Sequence, residues 1–347
     1  MTVDAGRAEL AELLVAGTAE LTREPSVPGL VVAAVRGPES AVHCQGVLRR
    51  GGAAPVGPDT RFETGSLTKT FTALLLADLA TRAEVGYQEQ ITAYLPAHAR
   101  PRRSSVTLLD LATHRGGLPR LPPGFLRRAG RRLLADPYSR YTLDDLYAAT
   151  ARLRPTRGPA AARYSTFGLA LLGQLLANAT GQPYDRLLAD RVLHPLGLTR
   201  TGTTTLADDP TAASGHRRGR PVPYWTFQAI APAGALHSTG TDLLRYLQSQ
   251  LAPGQGPLGT AIGRTQRPGP TIDAGPEQFS PGWFCRTHNG RTRFWHSGGT
   301  GGFTSYLKFC PDTAAGVAVL ANATPSRRQH VISLGQRLFG QLMTTAT

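Results

Sequence analysis

Residues 64–79 read TGSLTKTFTALLLADL, and this stretch joins a serine and a lysine to a strongly apolar run. Ser66 and Lys69 stand three residues apart, and a helix places positions i and i+3 on one face, about a hydrogen bond apart. The apolar residues from Phe71 to Leu79 predict a buried helix. Ser66 is therefore predicted at or near a helix N-terminus, where free amide groups and the helix dipole stabilise an anion.

Lysine is rare in this chain, which contains two lysines and 36 arginines. A guanidinium keeps its charge at any working pH, whereas burial or a nearby cation can remove the proton of an ammonium. Lys69 is therefore interpreted as a lysine that must at times be neutral and serve as a base. Codon bias with a chance placement of Lys69 explains the same four residues, so a catalytic function needs further motifs.

The composition is that of a globular protein larger than one small domain, with 347 residues of which 41% are hydrophobic. No apolar run is long enough to span a bilayer, and residues 1–17 lack the basic and then hydrophobic segments of an export signal. Cys44, Cys285 and Cys310 are scattered, which favours neither a disulfide framework nor a zinc site. We therefore predict a cytoplasmic protein that uses no metal or cofactor and binds no membrane.

The formal net charge of +15 raises the question of a nucleic-acid partner. Aromatic residues are not interleaved with the basic ones and no known nucleic-acid module is present, so we predict an arginine-rich solvated surface without nucleic-acid binding. Arginines nevertheless crowd residues 100–132, where they suit an acidic small substrate. They are Arg100, Arg102, Arg103, Arg115, Arg120, Arg127, Arg128, Arg131 and Arg132.

Strand patterns occupy the two ends of the chain, and helical periodicity dominates residues 80–205. The simplest architecture is a mixed α/β domain built from residues 1–79 and 206–347, with a helical domain of residues 80–205 and the active site at their interface. Residues 99–137 are predicted as surface loops, and residues 253–276 are a Gly/Pro-rich stretch. Helices are predicted at 3–22, 71–79, 241–251 and 328–343, and strands at 30–35, 41–48, 282–287, 292–295, 304–309 and 317–320.

Two further segments combine with Ser66 and Lys69. Tyr164-Ser165-Thr166-Phe167-Gly168 opens an apolar helix, and Trp295-His296-Ser297-Gly298-Gly299 ends a strand with glycines that let a substrate approach the backbone. In order and spacing the three segments resemble the motifs of the serine β-lactamase and penicillin-binding-protein superfamily, which are Ser-x-x-Lys, Tyr-x-Asn, and Lys-Thr-Gly or His-x-Gly. The tyrosine and the histidine resemble the class C β-lactamase and esterase/transacylase branch.

The resemblance extends through nearly the whole chain. Residues 106–119 end in His114-Arg115-Gly116-Gly117-Leu118-Pro119 and are similar to the family segment Leu-Leu-Thr-His-x-x-Gly-Leu-Pro. The resemblance implies an α/β (α+β) fold of the class C β-lactamase type, with a central antiparallel sheet flanked by helices and an inserted all-helical domain. Further similar blocks are Leu171-Leu172-Gly173, Thr180-Gly181, Pro195-Leu196-Gly197-Leu198, Ala233-Gly234-Ala235-Leu236, Ser238-Thr239, Asp242-Leu243 and Gly282-Trp283.

The resemblance implies acyl transfer with Ser66 as nucleophile and Lys69 and Tyr164 as its catalytic partners. Either a neutral Lys69 or a Tyr164 phenolate takes the Ser66 proton, and the sequence leaves both routes open. Tyr164 is implied to activate the incoming water, alcohol or amine, and the amides of Ser66 and Gly299 to form the oxyanion hole. His114 is predicted to be structural. Candidate substrate-binding residues are Thr166, His296, Ser297 and Gly298, with Trp225 from an aromatic loop within residues 208–230.

Two departures from the family pattern bear on the substrate. Thr166 stands where members that hydrolyse β-lactams generally carry Asn, and its short hydroxyl does not span to an amide substrate in the same way. His296 stands where members that process β-lactams usually carry Lys, which weakens a fixed cation for a substrate carboxylate. The histidine resembles the esterase, transacylase and peptidase members.

We therefore predict an enzyme that forms an acyl-enzyme at Ser66. It would pass the acyl group of an ester or amide of a small-molecule metabolite to water, an alcohol or an amine, as an esterase or as a transacylase of secondary metabolite biosynthesis. Two alternatives stay open, a true β-lactamase or D-amino-acid peptidase, and an inactive member that binds a ligand without acylation of Ser66. The sequence does not define the oligomeric state.

Overall fold

The computed structural model describes residues 3–344 apart from residues 22, 23, 25, 154–161, 270 and 273–275. The strands of these residues are β1 (Gly29–Arg36), β2 (Glu39–Gly46), β3 (Phe62–Glu63), β4 (Gly215–Arg217), β5 (Arg220–Val222), β6 (His237–Ser238), β7 (Gln278–Ser280), β8 (Trp283–His288), β9 (Arg291–Gly299), β10 (Thr304–Cys310) and β11 (Ala315–Ala321). One antiparallel sheet has the order β2-β1-β11-β10-β9-β8-β7. Two small sheets pair β3 with β6 and β4 with β5.

The large sheet is central because its inner strands are apolar on both faces. The residues of β1 are all buried, and antiparallel pairing sets Val32 opposite Val319 of β11. Successive side chains of a strand point to opposite faces. Val31 and Val32 accordingly lie in two different core layers, one on each side of the sheet. The predicted central antiparallel sheet is confirmed.

Helices cover both faces of this sheet. They are α1 (Val3–Thr18), α2 (Thr68–Thr81), α3 (Leu108–Ala112), α4 (Phe125–Ala129), α5 (Leu143–Ala151), α6 (Thr166–Thr180), α7 (Tyr184–Leu188), α8 (Gly240–Leu251), α9 (Gly256–Thr265) and α10 (His330–Thr344). Helices α1 and α10 pack on one face and α8 packs on the other, while α2 lies against α9 and α6. The burial of α2 follows from its sequence, which is apolar on nearly every side.

The middle of the chain is helical, as predicted. Helices α3 to α7 lie within residues 80–205, and none of the strands of the described residues falls in this range. Leu75 of α2, Leu172 of α6 and Leu307 of β10 belong to one buried cluster, so the helical region and the sheet share a core. The domain boundaries after residues 79 and 205 stay predictions.

Two segments contain helices that were not predicted from the sequence. Residues 256–265 form α9 inside the Gly/Pro-rich stretch, because Pro257 occupies the first turn, where the missing N–H is not needed, and Ile262 is buried. Thr107 starts α3, since its hydroxyl accepts a hydrogen bond from the Asp110 N–H in a capping box. The prediction of loops throughout residues 99–137 was therefore wrong for α3 and α4.

Candidate active site

Ser66 lies in a short 3-10 turn, Gly65–Leu67, that leads into α2. Gly65 has a φ of +53°, and a Cβ there would approach Gly299 N to 2.7 Å, so this position requires glycine. Ser66 is partly exposed, whereas Lys69 one turn later is fully buried. The serine therefore sits at the helix N-terminus that the sequence predicts, and it is open to an incoming ligand.

The Lys69 amine connects the Ser66 turn to the segment that precedes β6. Its Nζ lies 2.9 Å from Ser66 Oγ and donates to the Ala233 carbonyl oxygen at 2.6 Å. Among the described residues it forms no ion pair with a carboxylate. Burial, and then the Arg120 cation, lower the pKa of Lys69 to about 7. Near neutral pH a large fraction of Lys69 is uncharged and able to accept a proton.

Tyr164 closes the other side of Ser66. Its hydroxyl is hydrogen-bonded to Ser66, and its ring centre lies 5.1 Å from Lys69 Nζ and 5.8 Å from the Arg120 guanidinium carbon. Burial raises the pKa of Tyr164 above its ordinary value, although the Ser66 hydrogen bond and the Arg120 charge act in the opposite direction. Tyr164 is thus a neutral phenol that touches the nucleophile.

Two residues hold Tyr164 at the start of α6. Ser165 Oγ accepts the Gly168 N–H at 2.9 Å and caps the helix, and the Ser165 N–H donates to His114 Nδ1 at 3.1 Å. The His114 ring is buried 4.7 Å from the Tyr164 ring, and burial lowers its pKa well below the ordinary value. His114 thus contacts the Tyr164 ring and the backbone at the start of α6, and its structural function stays a prediction.

His296 is buried on β9 and faces Tyr164, with ring centres 6.0 Å apart. Its Nδ1 lies 2.8 Å from the Ser297 carbonyl oxygen, so this nitrogen must carry the hydrogen. Burial, and then the Lys69 charge, lower the pKa of His296 to about 3. His296 is therefore neutral, and its Nε2 is a hydrogen-bond acceptor that has no partner among the described residues.

The Gly299 N–H at the end of β9 has no acceptor in the part of the chain that the structure describes, and the register of β9 explains this. Thr300 N–H donates to Phe303 O at 3.0 Å, and Gly299 stands opposite Thr304 in the register of β9 and β10. Hydrogen-bonded and non-hydrogen-bonded pairs alternate along an antiparallel ladder, so the Gly299 N–H is directed away from β10. Because Gly299 N also adjoins Gly65, this N–H lies beside the Ser66 turn and is available to an anion.

Gly298 allows β9 to pass close to the Ser66 turn. A Cβ at this position would lie 2.0 Å from the Thr64 carbonyl oxygen and 3.0 Å from Leu67 N. Both are backbone atoms, so a side chain would push the strand away from the turn. The structure thus gives Gly298 a packing function, and its contact with a substrate stays a prediction.

Three other predicted binding residues occupy different settings. Thr166 is buried and donates its N–H to the Arg120 carbonyl oxygen at 2.9 Å, and it takes no part in the described hydrogen bonds of Lys69. Ser297 is partly exposed on β9. Trp225 packs its indole against Gly301, where a Cβ would lie 2.5 Å from Nε1. Trp225 therefore contacts the turn that follows Gly299.

Sequence reasoning missed Glu63, a buried acid three residues before Ser66. Its two oxygens accept hydrogen bonds from the Trp225 N–H at 2.7 Å and from the Thr300 hydroxyl at 2.6 Å. Burial raises the pKa of Glu63 to about 7, even though both hydrogen bonds act to lower it. Glu63 ties the Trp225 loop and the turn after Gly299 to the nucleophile segment. The only signal in the sequence is an acid beside the apolar Phe62.

A large cleft of about 1650 Å³ opens beyond Trp225. Its walls come from the helical region at residues 93–98 and 174–185 and from residues 203–207 and 223–228. Trp225 and Glu63 line it, whereas Ser66, Lys69 and Tyr164 do not. The cleft therefore adjoins the nucleophile segment at Glu63. Tyr224, Trp225 and Phe227 all line this cleft, so the aromatic loop faces this space.

The family model for beta-lactamases matches residues 11–338. The chain belongs to the beta-lactamase family. The D-alanyl-D-alanine-carboxypeptidase/endopeptidase AmpH of Escherichia coli (strain K12) is 28% identical over 316 residues, which cover 86% of this chain and 80% of that protein. The unguisins hydrolase ungD' of Aspergillus campestris (strain IBT 28561) is 26% identical over 328 residues, covering 86% of this chain and 59% of the relative.

A solved structure of a class C beta lactamase from Rhodobacter sphaeroides superimposes on this beta-lactamase family member with a TM-score of 0.79. It is 25% identical and covers 96% of this chain and 99% of its own. The class C fold that the three motifs imply is thereby confirmed, and the relatives support a hydrolase of the serine β-lactamase fold. None of the helices of the described residues is both long and apolar enough to cross a membrane.

Proposed function

We propose that the protein is a serine-dependent acyl-enzyme hydrolase or acyltransferase that acts on an ester or amide of a small-molecule metabolite. The observation that carries this proposal is the fully buried Lys69, whose Nζ lies 2.9 Å from Ser66 Oγ. A serine hydroxyl is a weak nucleophile until a base within hydrogen-bond reach accepts its proton. Lys69 can be this base, because its Nζ is within hydrogen-bond reach of Ser66 Oγ and is often uncharged near neutral pH.

Lys69 is the better candidate for the first base. Its pKa is lowered to about 7, whereas burial raises the pKa of Tyr164 above its ordinary value. In the free protein near neutral pH the uncharged amine is therefore far more abundant than the phenolate. Tyr164 keeps a relay function in this proposal, because its hydroxyl is hydrogen-bonded to Ser66.

In the first half-reaction a neutral Lys69 accepts the Ser66 proton as Oγ bonds to the acyl carbonyl carbon. The carbonyl oxygen becomes an oxyanion that the amides of Ser66 and Gly299 stabilise, and loss of one such donor typically costs about 10²- to 10³-fold in rate. Collapse of this intermediate breaks the bond to the leaving group, which receives the proton from Lys69 directly or through Tyr164. The acyl group remains on Ser66 and Lys69 is neutral again.

In the second half-reaction water, an alcohol or an amine attacks the carbonyl carbon of the acyl-enzyme. Its proton passes to the Tyr164 hydroxyl as the tyrosine proton passes to Lys69. Ser66 Oγ then leaves the acyl carbon and recovers a proton from Lys69, which restores the starting protein. Water gives a hydrolase and an amine gives a transacylase, and the proposal includes both outcomes.

The substrate class follows from the groups on β9. His296 is neutral and offers an acceptor at Nε2, so it supplies no cation for the carboxylate of a β-lactam. This favours ester or amide metabolites, in line with a relative named as an unguisins hydrolase. Peptidase activity on D-alanyl-D-alanine is the second candidate, and the 28% identity to AmpH favours it. A cytoplasmic location stays a prediction.

Intact-protein mass spectrometry after exposure to a fluorophosphonate tests the proposal. We expect one covalent adduct on the wild type and on Ser333→Ala, a control at an exposed serine of α10, and none on Ser66→Ala. The same proteins are then given activated esters with and without amines, and D-alanyl-D-alanine peptides. Faster product formation with an amine would identify a transacylase. Absence of any adduct on the wild type would support the inactive binding protein instead.

A further inference from the structure

The Arg120 cation lies beside the candidate active site and has no function in the proposed acyl transfer. Lys69 serves as the base and His296 is neutral, yet the Arg120 guanidinium carbon lies 5.8 Å from the ring centre of Tyr164. We propose that Arg120 is the anion-binding group of this site and that it holds a carboxylate of the acyl donor. This inference rests on the proposed function and adds to it the charge of the substrate.

The backbone of Arg120 is tied to the start of α6. Its carbonyl oxygen accepts the N–H groups of Thr166 at 2.9 Å and Phe167 at 3.3 Å. Ser165 Oγ donates to the preceding carbonyl oxygen, that of Pro119, at 2.7 Å. The residue is thus anchored to the same helix turn that positions Tyr164. These hydrogen bonds fix the backbone from which the Arg120 side chain extends, so the guanidinium starts from a fixed position beside Tyr164.

The Arg120 side chain is exposed and makes no ion pair within the described part of the chain. Some arginines of the described residues do form ion pairs, such as Arg128 with Asp145 and Arg191 with Asp78. A guanidinium has a planar fork that matches the two oxygens of a carboxylate. Because Arg120 stacks on an aromatic face and lacks an acidic partner, its fork remains available to a ligand.

The charge of Arg120 reaches the groups that react. It helps to lower the pKa of Lys69 and opposes the larger effect of burial on the pKa of Tyr164, which places its field at both residues. The neutral His296 cannot fill the same function, since Nε2 accepts hydrogen bonds and repels an anion. An acyl donor with a carboxylate therefore meets the Arg120 cation over the Tyr164 ring.

The test compares two activated esters of equal acyl length, 4-nitrophenyl pentanoate and the mono-4-nitrophenyl ester of glutaric acid, which adds a terminal carboxylate. We expect the wild type to prefer the glutarate ester. In Arg120→Gln the ratio of kcat/KM for glutarate to that for pentanoate should fall about tenfold, mainly through KM, as expected for loss of one charge-assisted contact. Arg120→Lys should recover part of the ratio, because it keeps the charge without the fork.

Arg131→Gln is the matched control, since Arg131 is an exposed arginine of the same segment without a contact to Tyr164. An equal ratio in wild type and Arg120→Gln would overturn the proposal. Glutarate binding to Ser66→Ala and to the Ser66→Ala, Arg120→Gln double variant, measured by calorimetry, separates it from the proposed function. Weaker binding to the double variant supports the Arg120 site even if no acyl-enzyme forms, whereas equal binding contradicts it.

Discussion

The two lysines of the chain lie on opposite sides of the central sheet, and only one of them is near a nucleophile. Lys69 is fully buried in α2, 2.9 Å from Ser66 Oγ. Lys308 of β10 is partly buried between the rings of Trp295 and Phe339, at 5.5 Å and 5.0 Å from their centres. Burial lowers the pKa of both. A lowered pKa alone therefore does not identify a catalytic base. The Ser66 hydroxyl within hydrogen-bond reach of Lys69 is the feature that does.

The largest expected effect comes from Lys69→Arg. An arginine keeps a positive charge in place of the uncharged amine, so the acylation rate of Ser66 should fall about 10³-fold, within the range for loss of a general base. The rate of fluorophosphonate labelling measures it. Lys69→Met, which is neutral and of similar length, should lose as much, and circular dichroism checks that both variants fold. Wild-type labelling of either variant would remove the distinction between the two lysines.

Tyr164→Phe should have the next largest effect. Loss of the hydroxyl removes the proposed proton relay, so turnover should fall about 10²-fold. The deficit should be greater in release of the acyl group than in its formation, because Lys69 still serves Ser66. Rapid-mixing measurements with a 4-nitrophenyl ester would then show a larger burst followed by slower turnover. Equal slowing of both phases would mean that Tyr164 only positions Ser66.

The pH dependence tests the lowered pKa of Lys69. Its pKa of about 7 lies below the ordinary 10.5, so the required neutral form accumulates as the pH rises through about 7. The value of kcat/KM should therefore fall roughly tenfold for each pH unit below that point and level off above it. A profile that continues to rise toward pH 10 would mean that burial does not neutralise Lys69 and that the two lysines are alike.

The three motifs were predictable because each is a short local pattern, although none of them establishes a catalytic function alone. Ser66 and Lys69 are one helical turn apart, and Tyr164 precedes an apolar helix whose start the sequence marks. Their assembly into one site came from resemblance, because no local rule states that residues about a hundred positions apart will meet. The central sheet was readable for the same reason as the helices, since β1 and β11 are continuous apolar runs.

The remaining contacts were not predictable because they join distant segments through single polar atoms. Glu63 accepts hydrogen bonds from Trp225 and Thr300, which stand more than a hundred residues away in the sequence. The Ala233 carbonyl that holds Lys69 is a backbone atom and carries no residue signal. Arg120 was one of several arginines in its segment, and the backbone hydrogen bonds to α6 and the Tyr164 ring beneath its guanidinium distinguish it from its neighbours.

Glu63 provides a second test of the effect of burial on a pKa. Desolvation lowers the pKa of the Lys69 amine, whereas it raises the pKa of this acid. Its pKa in the folded protein is raised to about 7 from 4.5, so the folded state binds more protons between these values. The free energy of unfolding should therefore fall as the pH rises through this window. Urea titrations of wild type and Glu63→Gln should differ by an amount that changes between pH 4.5 and 7 and is constant outside it. A constant difference throughout would contradict the burial effect.

The smallest effect is expected for Lys308→Arg. The stem of an arginine packs on Trp295 and Phe339 as the lysine does, and a guanidinium also stacks on aromatic rings. The nearby Arg293 cation repels a positive charge at position 308, and this repulsion acts on a lysine and on an arginine alike. The free energy of unfolding should change by no more than about 0.5 kcal/mol, and the rate of Ser66 labelling should be unchanged. A loss of labelling in Lys308→Arg would mean that Lys308 also contributes to the reaction of Ser66. The distance of 2.9 Å between Lys69 Nζ and Ser66 Oγ would then not explain why Lys69 alone is the base.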